Sequence, residues 1–301
     1  MDTRQLRYFL AVVDQGGFVR AAEHLIIAQP SLSQTIATLE RELGVPLFHR
    51  VGRKAVLSEA GEELVGPARL VLRDLEAARS SVDAVRGVRS GKLDLTTMPS
   101  PGIEPLTTMI ARFTTLYPLV TLNVEGAFTP EDVVQSVRSG SCEIGLAGTR
   151  EPIRVAGVDV LHLEDQPLIL LVCPQADRFG DRSVIAREDL AGHRIIVSQQ
   201  GSLMRWLVDD VLAGGVACEI VAEVAHRTSI LPLVMTGVGH AVLPSSWGPL
   251  AQRLGLRTLA IEPASVLHIA VLSRSSGLTP MAKAFLEVAR SYAAEASAGD
   301  S

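Results

Sequence analysis

Aromatic side chains make up only 4% of the 301 residues, with two tryptophans among them. Stacking platforms for single-stranded nucleic acid are thereby excluded, and the cores must be built from Leu, Val, Ile and Ala. Cysteine is equally scarce. Cys142, Cys173 and Cys218 stand far apart with no CxxC spacing, so neither a disulfide framework nor a zinc site is expected. They read as small buried hydrophobes. No apolar run approaches the length of a membrane span and no signal-peptide core opens the chain, so a cytoplasmic protein with no membrane partner is expected. Also missing are a GxGxxG after the first strand of the C-terminal part, a GxSxG elbow, an HExxH and any paired Cys–His set. No catalytic residue, metal ligand or cofactor is assigned, and an enzyme is not expected. The seven histidines are scattered and read as surface or packing residues, His240 included.

What is present is a chain that is 47% hydrophobic and 20% charged, enough for a sizeable core and for two or three domains. The net charge of −5 conceals a division. Residues 1–57 hold 7 Arg or Lys against 5 Asp or Glu, whereas residues 91–301 hold 16 against 22. A nucleic-acid partner therefore belongs at the N-terminal end.

Residues 18–43 organise that end. Phe18, Ala21, Ala22 and Leu25 repeat at helical spacing, and Leu32, Ile36, Leu39 and Leu43 repeat it after a break. Two short helices joined by a tight turn are predicted. Pro30 suits the first position of the second helix, and Gly44 its left-handed cap. Ser31, Ser33, Gln34, Thr35 and Thr38 fall on its outward face, compact hydrogen-bonding side chains suited to base edges or phosphates. An ordinary helical pair with a solvated polar face is the plain alternative. Residues 47–57 weigh against it: a turn at Val51–Gly52 between short extended pieces gathers Arg50, Arg53 and Lys54 into a basic hairpin, placed to reach flanking backbone.

With "LRYFLAVVDQGGFVRAAEHL", "AQPSLSQTIATLERELGVPLFHR" and "LSEAGEEL", residues 4–66 resemble the N-terminal module of the LysR-type transcriptional regulators. The rest of the chain fits that family's effector domain more loosely. The resemblance implies DNA contacts from Arg20, Gln29, Pro30, Ser31, Ser33, Gln34 and Thr38 in the helices and from Arg50 and Arg53 on the wing. Val19 stands where a small hydroxyl residue is common, and Gln34–Thr35 where an Arg is often found, so an unusual base preference is expected. The cysteine pair through which some members sense oxidants has no counterpart here.

Leu6, Phe9, Leu10 and Val13 predict a first supporting helix, ended by Gly16–Gly17. Ser58 is a good N-cap for a long one over about 58–89, about 48 Å at 1.5 Å per residue. Within it Leu64, Ala68, Val71, Leu75, Ala78, Val82 and Val85 alternate spacings of four and three, a heptad seam that asks for a second copy of the chain. A core helix inside one large domain is the alternative. Gly66–Pro67 is expected to bend its start, and residues 87–92 read as a flexible joint.

Beyond the joint, short apolar strands alternate with helices, which predicts an α/β domain with mostly parallel sheets. The expected domains are a winged helix-turn-helix over 1–58, a linker or dimerisation helix over 59–90, and an effector-binding domain over 91–301. The resemblance divides the last into two lobes, as in periplasmic binding proteins: lobe I about 91–164 with 267–295, and lobe II about 165–266. Between such lobes lies a cleft where helix N-termini favour anions. Ser100, Pro101 and Gly102 follow a strand of one lobe, and Gln200 and Ser202 follow a strand of the other. Thr228, in His226-Arg227-Thr228-Ser229, lies on a further wall. Each could be a mere cap; the resemblance puts the effector pocket at these positions. The glycines of Gly237-Val238-Gly239 read as close-packing positions.

The reading is a regulator that binds double-stranded promoter DNA and responds to a small-molecule effector, expected to be a small organic acid. The resemblance implies a homodimer assembling to a homotetramer. A ligand-insensitive architectural DNA-binding protein or constitutive repressor is the alternative.

Overall fold

A computed structural model describes residues 1–51, 54–85 and 90–299. Three helices open the chain: α1 (Thr3–Asp14), α2 (Phe18–His24) and α3 (Gln29–Leu43). Asp2 and Gln5 close a capping box on α1, which satisfies two otherwise orphaned donors. Helix α3 starts one residue before the expected Pro30 and ends on Gly44 at φ 76°, the left-handed cap that glycine allows. Phe9, Ala21, Leu32, Ile36 and Leu39, each at most 2% exposed, make one core, as their spacing predicts, whereas Leu43 in the last turn is 39% exposed.

The hairpin β1 (Phe48–Val51) and β2 (Lys54–Leu57) is antiparallel, with Val51 opposite Lys54. The turn expected at Val51–Gly52 lies in part outside the described residues, Val51 being the last residue of β1. Glu40 Oε1 accepts from the Leu47 and Phe48 amides at 2.8 and 3.2 Å, which fastens the hairpin to α3.

Helix α4 (Glu59–Val85) has 27 residues, about 40 Å at 1.5 Å per residue. Ser58 Oγ caps it by accepting from the Gly61 amide at 3.0 Å, and the helix continues through Pro67. The heptad seam divides. Ala68 is 1% exposed within its own chain, and Leu64 packs on the same N-terminal core. These two residues are corrected from partner contacts to internal ones, because α1 lies against the start of α4. Val71 and Val82 are 45% and 63% exposed, Ala78 is exposed and Leu75 half-buried. The Val85 side chain lies outside the described part, as do residues 87–89 of the expected joint at 87–92. Its end is not a joint: Gly91 and Lys92 already pair within the next strand.

That strand, β3 (Ser90–Thr97), is followed by α5 (Pro99–Ile103), α6 (Leu106–Leu116), β4 (Leu119–Gly126), α7 (Pro130–Arg138), β5 (Ile144–Thr149) and β6 (Val158–Val172). Then come β7 (Val184–Ala186), β8 (Arg194–Ser198), α8 (Leu203–Ala213), β9 (Glu219–Val224), α9 (Ile230–Met235) and β10 (His240–Pro244). The chain closes with α10 (Gly248–Arg253), β11 (Arg257–Glu262), β12 (Val266–Arg274) and α11 (Pro280–Gly299). The strand order is β4-β3-β5-β12-β6-β10-β8-β9, with β11 and β7 attached through β6.

The sheet is mixed rather than mostly parallel. β3 runs parallel to β4 and β5, and β8 to β9 and β10, but β6 and β12 run antiparallel to each other, and each to further neighbours. Strand β6 serves both lobes. Its first part, to Pro167, pairs with β12, and from Leu168 it pairs with β10 and β11. The crossing thus falls after Pro167, not after residue 164. The Leu168 amide donates to Ser265 O at 2.8 Å, so the two crossing segments lie side by side. Lobe I is the part built on β3, β4, β5 and β12, and lobe II the part built on β8 to β11.

Lobe II closes around buried imidazole. His240, fully buried, accepts from the Cys173 amide through Nδ1 at 3.0 Å, and its Nε2 lies 3.1 Å from His193 Nδ1. Phe179 stacks on His193 at 4.6 Å. Burial holds the His240 pKa down at about 4, with His193 adding to the effect. A histidine whose folded pKa is depressed contributes stability above the unfolded pKa of about 6.5 and loses it as the unfolded state takes up the proton. Lobe II should therefore lose up to about 3 kcal/mol between about pH 6.5 and pH 4, at about 1.4 kcal/mol per pKa unit. Urea unfolding across that range checks this: His240→Gln should flatten the slope, and an unchanged slope would remove His240 as its source. Beside it, a Cβ on Gly239 would meet Arg194 O at 2.6 Å, a close approach of the kind expected there.

Candidate functional site

Two surfaces concentrate polar groups. The first lies on α3 and its neighbours. Gln29, Pro30, Ser31 and Gln34 are exposed there, and Ser33 and Thr38 half-buried, because residues 32, 36 and 39 turn the opposite face into the core. Arg20, Gln29, Pro30, Ser33 and Gln34 line one concavity between the start of α2, the outer face of α3 and the hairpin. Gln29 Nε2 donates to Ser33 Oγ at 2.8 Å, one turn apart. Arg20 is exposed and donates to Gly16 O at 3.1 Å. Ser31 and Thr38 stand outside that lining, and Thr38 Oγ1 donates to Gln34 O at 2.9 Å, so its hydroxyl proton is already engaged. Arg53 and the Arg50 side chain lie outside the described part.

The second surface is a cavity of about 630 Å³ with walls from both lobes. Three helix N-termini open onto it, those of α5 at Met98–Pro99, α7 at Thr129–Pro130 and α8 at Ser202–Leu203. Pro99, Pro101 and Pro130 carry no N–H, so the positive environment comes chiefly from the start of α8. Thr129 caps α7 by accepting from the Asp132 amide at 3.1 Å, and Ser202 caps α8 by accepting from the Arg205 amide at 3.2 Å.

Of the residues expected at the pocket, Pro101, Gln200 and Ser202 line it. Ser100, Gly102 and Thr228 do not, and each is corrected. Ser100 is fully buried behind the wall, its hydroxyl taken by Arg227 Nη1 at 2.7 Å. The short α5 turns Gly102 back toward Thr97. Thr228 is exposed outside the cavity, and its neighbour Arg227 lines it instead.

Sequence reasoning missed several lining residues. Arg227 is 9% exposed, holds no carboxylate among the described residues, and has its pKa lowered to about 10 by burial alone. Arg150, at the end of β5, lies over the Trp206 ring of α8 at 3.8 Å, a cation–π contact from one lobe to the other. Ser198, at the end of β8, is 4% exposed and its hydroxyl has no partner among the described residues. The sign available in the sequence was Arg227 itself, a lone cation at the head of the apolar run Ile230–Val234, where a structural residue needs no charge. Glu131 and Asp209 also reach the cavity, but Asp209 is neutralised by Arg205 at 2.7 Å.

The cysteines are free: Cys142 and Cys173 are buried and Cys218 half-buried. Burial pushes the Cys142 thiol up to about 12, which makes it an inert packing group. No group of metal-binding side chains occurs among the described residues, and none of their helices is long and apolar enough to cross a membrane.

Residues 3–62 match the family of bacterial regulatory helix-turn-helix proteins of the lysR type, and residues 86–294 match the LysR substrate binding domain. The HTH-type transcriptional regulator TfdT of Cupriavidus pinatubonensis is 35% identical over 212 residues, which cover 61% of this chain and 91% of that one. Among solved structures, a single-residue variant of full-length OxyR from Pseudomonas aeruginosa is similar with a TM-score of 0.73 at 24% identity, covering 97% of this chain and 94% of that one. Full-length CbnR complexed with its target DNA superposes with a TM-score of 0.70 at 24% identity, covering 97% and 100%. At that identity both likenesses establish the fold.

Proposed function

The chain belongs to the LysR family of DNA-binding transcriptional regulators, and from that premise we propose a cytoplasmic regulator whose cleft takes a small organic acid. Its relatives by family and fold are regulators, not enzymes. The helix α3 lies in the major groove, with Gln29, Pro30, Ser31, Ser33 and Gln34 toward base edges. Arg20, Arg50 and Arg53 reach flanking phosphates, and Thr38 joins them only after giving up its bond to Gln34. A partner's linker helix covers the exposed Val71, Ala78 and Val82, so that two recognition helices address two half-sites, and pairs of dimers form the homotetramer.

The sensing half of this reading is carried by one observation: a single cavity with walls from both lobes, onto which three helix N-termini open. A ligand that binds one lobe arrangement better than the other shifts the angle between them. The linker helices pass that shift to the spacing of the DNA-binding domains. A ligand-insensitive architectural protein has no use for such a cavity.

Thermal-shift screening of organic acids against the purified protein tests the sensing reading. Ser202→Ala and Gln200→Ala should weaken the response to any acid that stabilises the wild type by about tenfold each, in keeping with about 1.5 kcal/mol for a hydrogen bond to a charged group. Equal responses in both variants and the wild type would remove these residues from the site.

A further inference from the structure

We propose that Arg227 is the charge anchor of the cleft: with Ser100 beside it and Ser198 near by, it receives the carboxylate of the ligand. The inference rests on the reading of the cleft as an effector site and adds the group that takes the charge.

Three observations carry it. Arg227 is nine-tenths buried and lines the cavity, yet no carboxylate of the described residues pairs with it; the hydrogen-bond partner found among them is the neutral hydroxyl of Ser100 at 2.7 Å. Buried guanidinium without a counter-ion is unfavourable, and such charges are normally paired. Ser198 supplies the second observation. Its hydroxyl, on the last residue of β8, is buried, without a partner among the described residues, and part of the same cavity wall. The third is the source of the three groups: Ser100 belongs to lobe I, Arg227 and Ser198 to lobe II. A planar anion on Arg227 uses donors that the Ser100 contact leaves over, and the Ser198 hydroxyl can donate to the same group.

The Ser100–Arg227 bond also holds the lobes together at the back of the cleft. An anion arriving there competes with Ser100 for Arg227 or shares it, which changes a contact between the lobes. Ligand charge and lobe angle are thereby linked through one side chain. A carboxylate fits better than a phosphate. With Arg150 of the same lining already laid over the Trp206 ring, the Arg227 guanidinium and the Ser198 hydroxyl match a single negative charge, and Glu131 at the cavity wall opposes a second.

The test uses the full chain, with sodium acetate as probe against equal sodium chloride and sodium phosphate, read by thermal unfolding. Acetate should raise the melting temperature of the wild type beyond chloride and phosphate. In Arg227→Met and Arg227→Gln the apparent acetate affinity should fall at least tenfold. With chloride alone, Arg227→Gln, which keeps a donor for Ser100, should melt no lower than the wild type, because it removes an uncompensated buried charge. A merely structural arginine gives the opposite: Arg227→Gln melts lower and the acetate response survives. Either of these results, or no acetate response in the wild type, overturns the anchor. Loss of the anchor with an acid response intact in the screen leaves the effector reading standing.

Discussion

Glu143→Ala destabilises lobe I by about 3–5 kcal/mol, the loss that follows when one partner is removed from a buried charged cluster. Glu143 is 2% exposed. Its carboxylate accepts from the Thr279 amide and hydroxyl, both at 3.0 Å, and lies 3.9 Å from Arg73 of the linker helix. Arg73 in turn meets Asp94 at 3.2 Å and donates to the carbonyls of Gly140 and Ser141. Alanine leaves the Thr279 donors unsatisfied and a guanidinium short of one counter-charge. Glu143→Gln keeps an acceptor for Thr279 and should lose markedly less. Urea unfolding gives both numbers, and a loss below about 1 kcal/mol for the alanine variant would mean that water replaces the carboxylate.

This cluster also has a functional position. The parallel strands β3 and β5 pass beside it, β3 at Asp94 in its middle and β5 where it begins after Glu143, and both end at the cleft, in the segments that lead to Ser100 and Arg150. The linker helix is thus fastened to the middle of β3 and the start of β5, the two strands whose far ends form the cleft wall. Hydrogen exchange along α4 should rise in Glu143→Ala if the fastening is lost.

Gln29→Ala with Ser33→Ala abolishes sequence selectivity while leaving salt-sensitive affinity for any duplex. The two side chains already meet at 2.8 Å on the exposed face of α3. Each good contact to a base edge discriminates by about 1–3 kcal/mol, and a dimer uses each twice, so selectivity should fall by more than about a hundredfold. Phosphate contacts are untouched, so residual binding should keep its dependence on salt. Competition between an operator fragment and random duplex at fixed ionic strength measures the ratio. A change of less than about threefold would mean that bases are read elsewhere.

The helix-turn-helix was legible because its information is local. Apolar spacing, a proline near the start of α3 and Gly44 after its end set the helix and its buried face together. One local feature escaped: Ile26, in the turn between α2 and α3, adopts φ 54° and is 92% exposed, a backbone state that β-branched residues rarely take. The first part of β6 escaped as well. Asp159, Glu164 and Asp165 interrupt its apolar pattern, since this antiparallel segment has an outward face. The cleft was legible only in outline. Its loops could be placed at strand ends, but which side chain of each loop turns inward depends on contacts between distant segments. Ser100 is buried by a bond to a residue 127 positions away. The same bond brings in Arg227, which no periodicity distinguishes from Thr228. The seam of α4 was read from spacing alone, and spacing does not reveal that α1 covers Leu64 and Ala68.

Recovery of genomic DNA fragments on the purified protein at a fixed salt concentration, followed by sequencing, separates selective promoter binding from unselective attachment to duplex DNA. A few fragments that share a dyad-symmetric site should be recovered by the wild type and lost by the Gln29→Ala, Ser33→Ala variant. Unselective recovery, equal in both proteins and governed by salt alone, would contradict selective promoter binding.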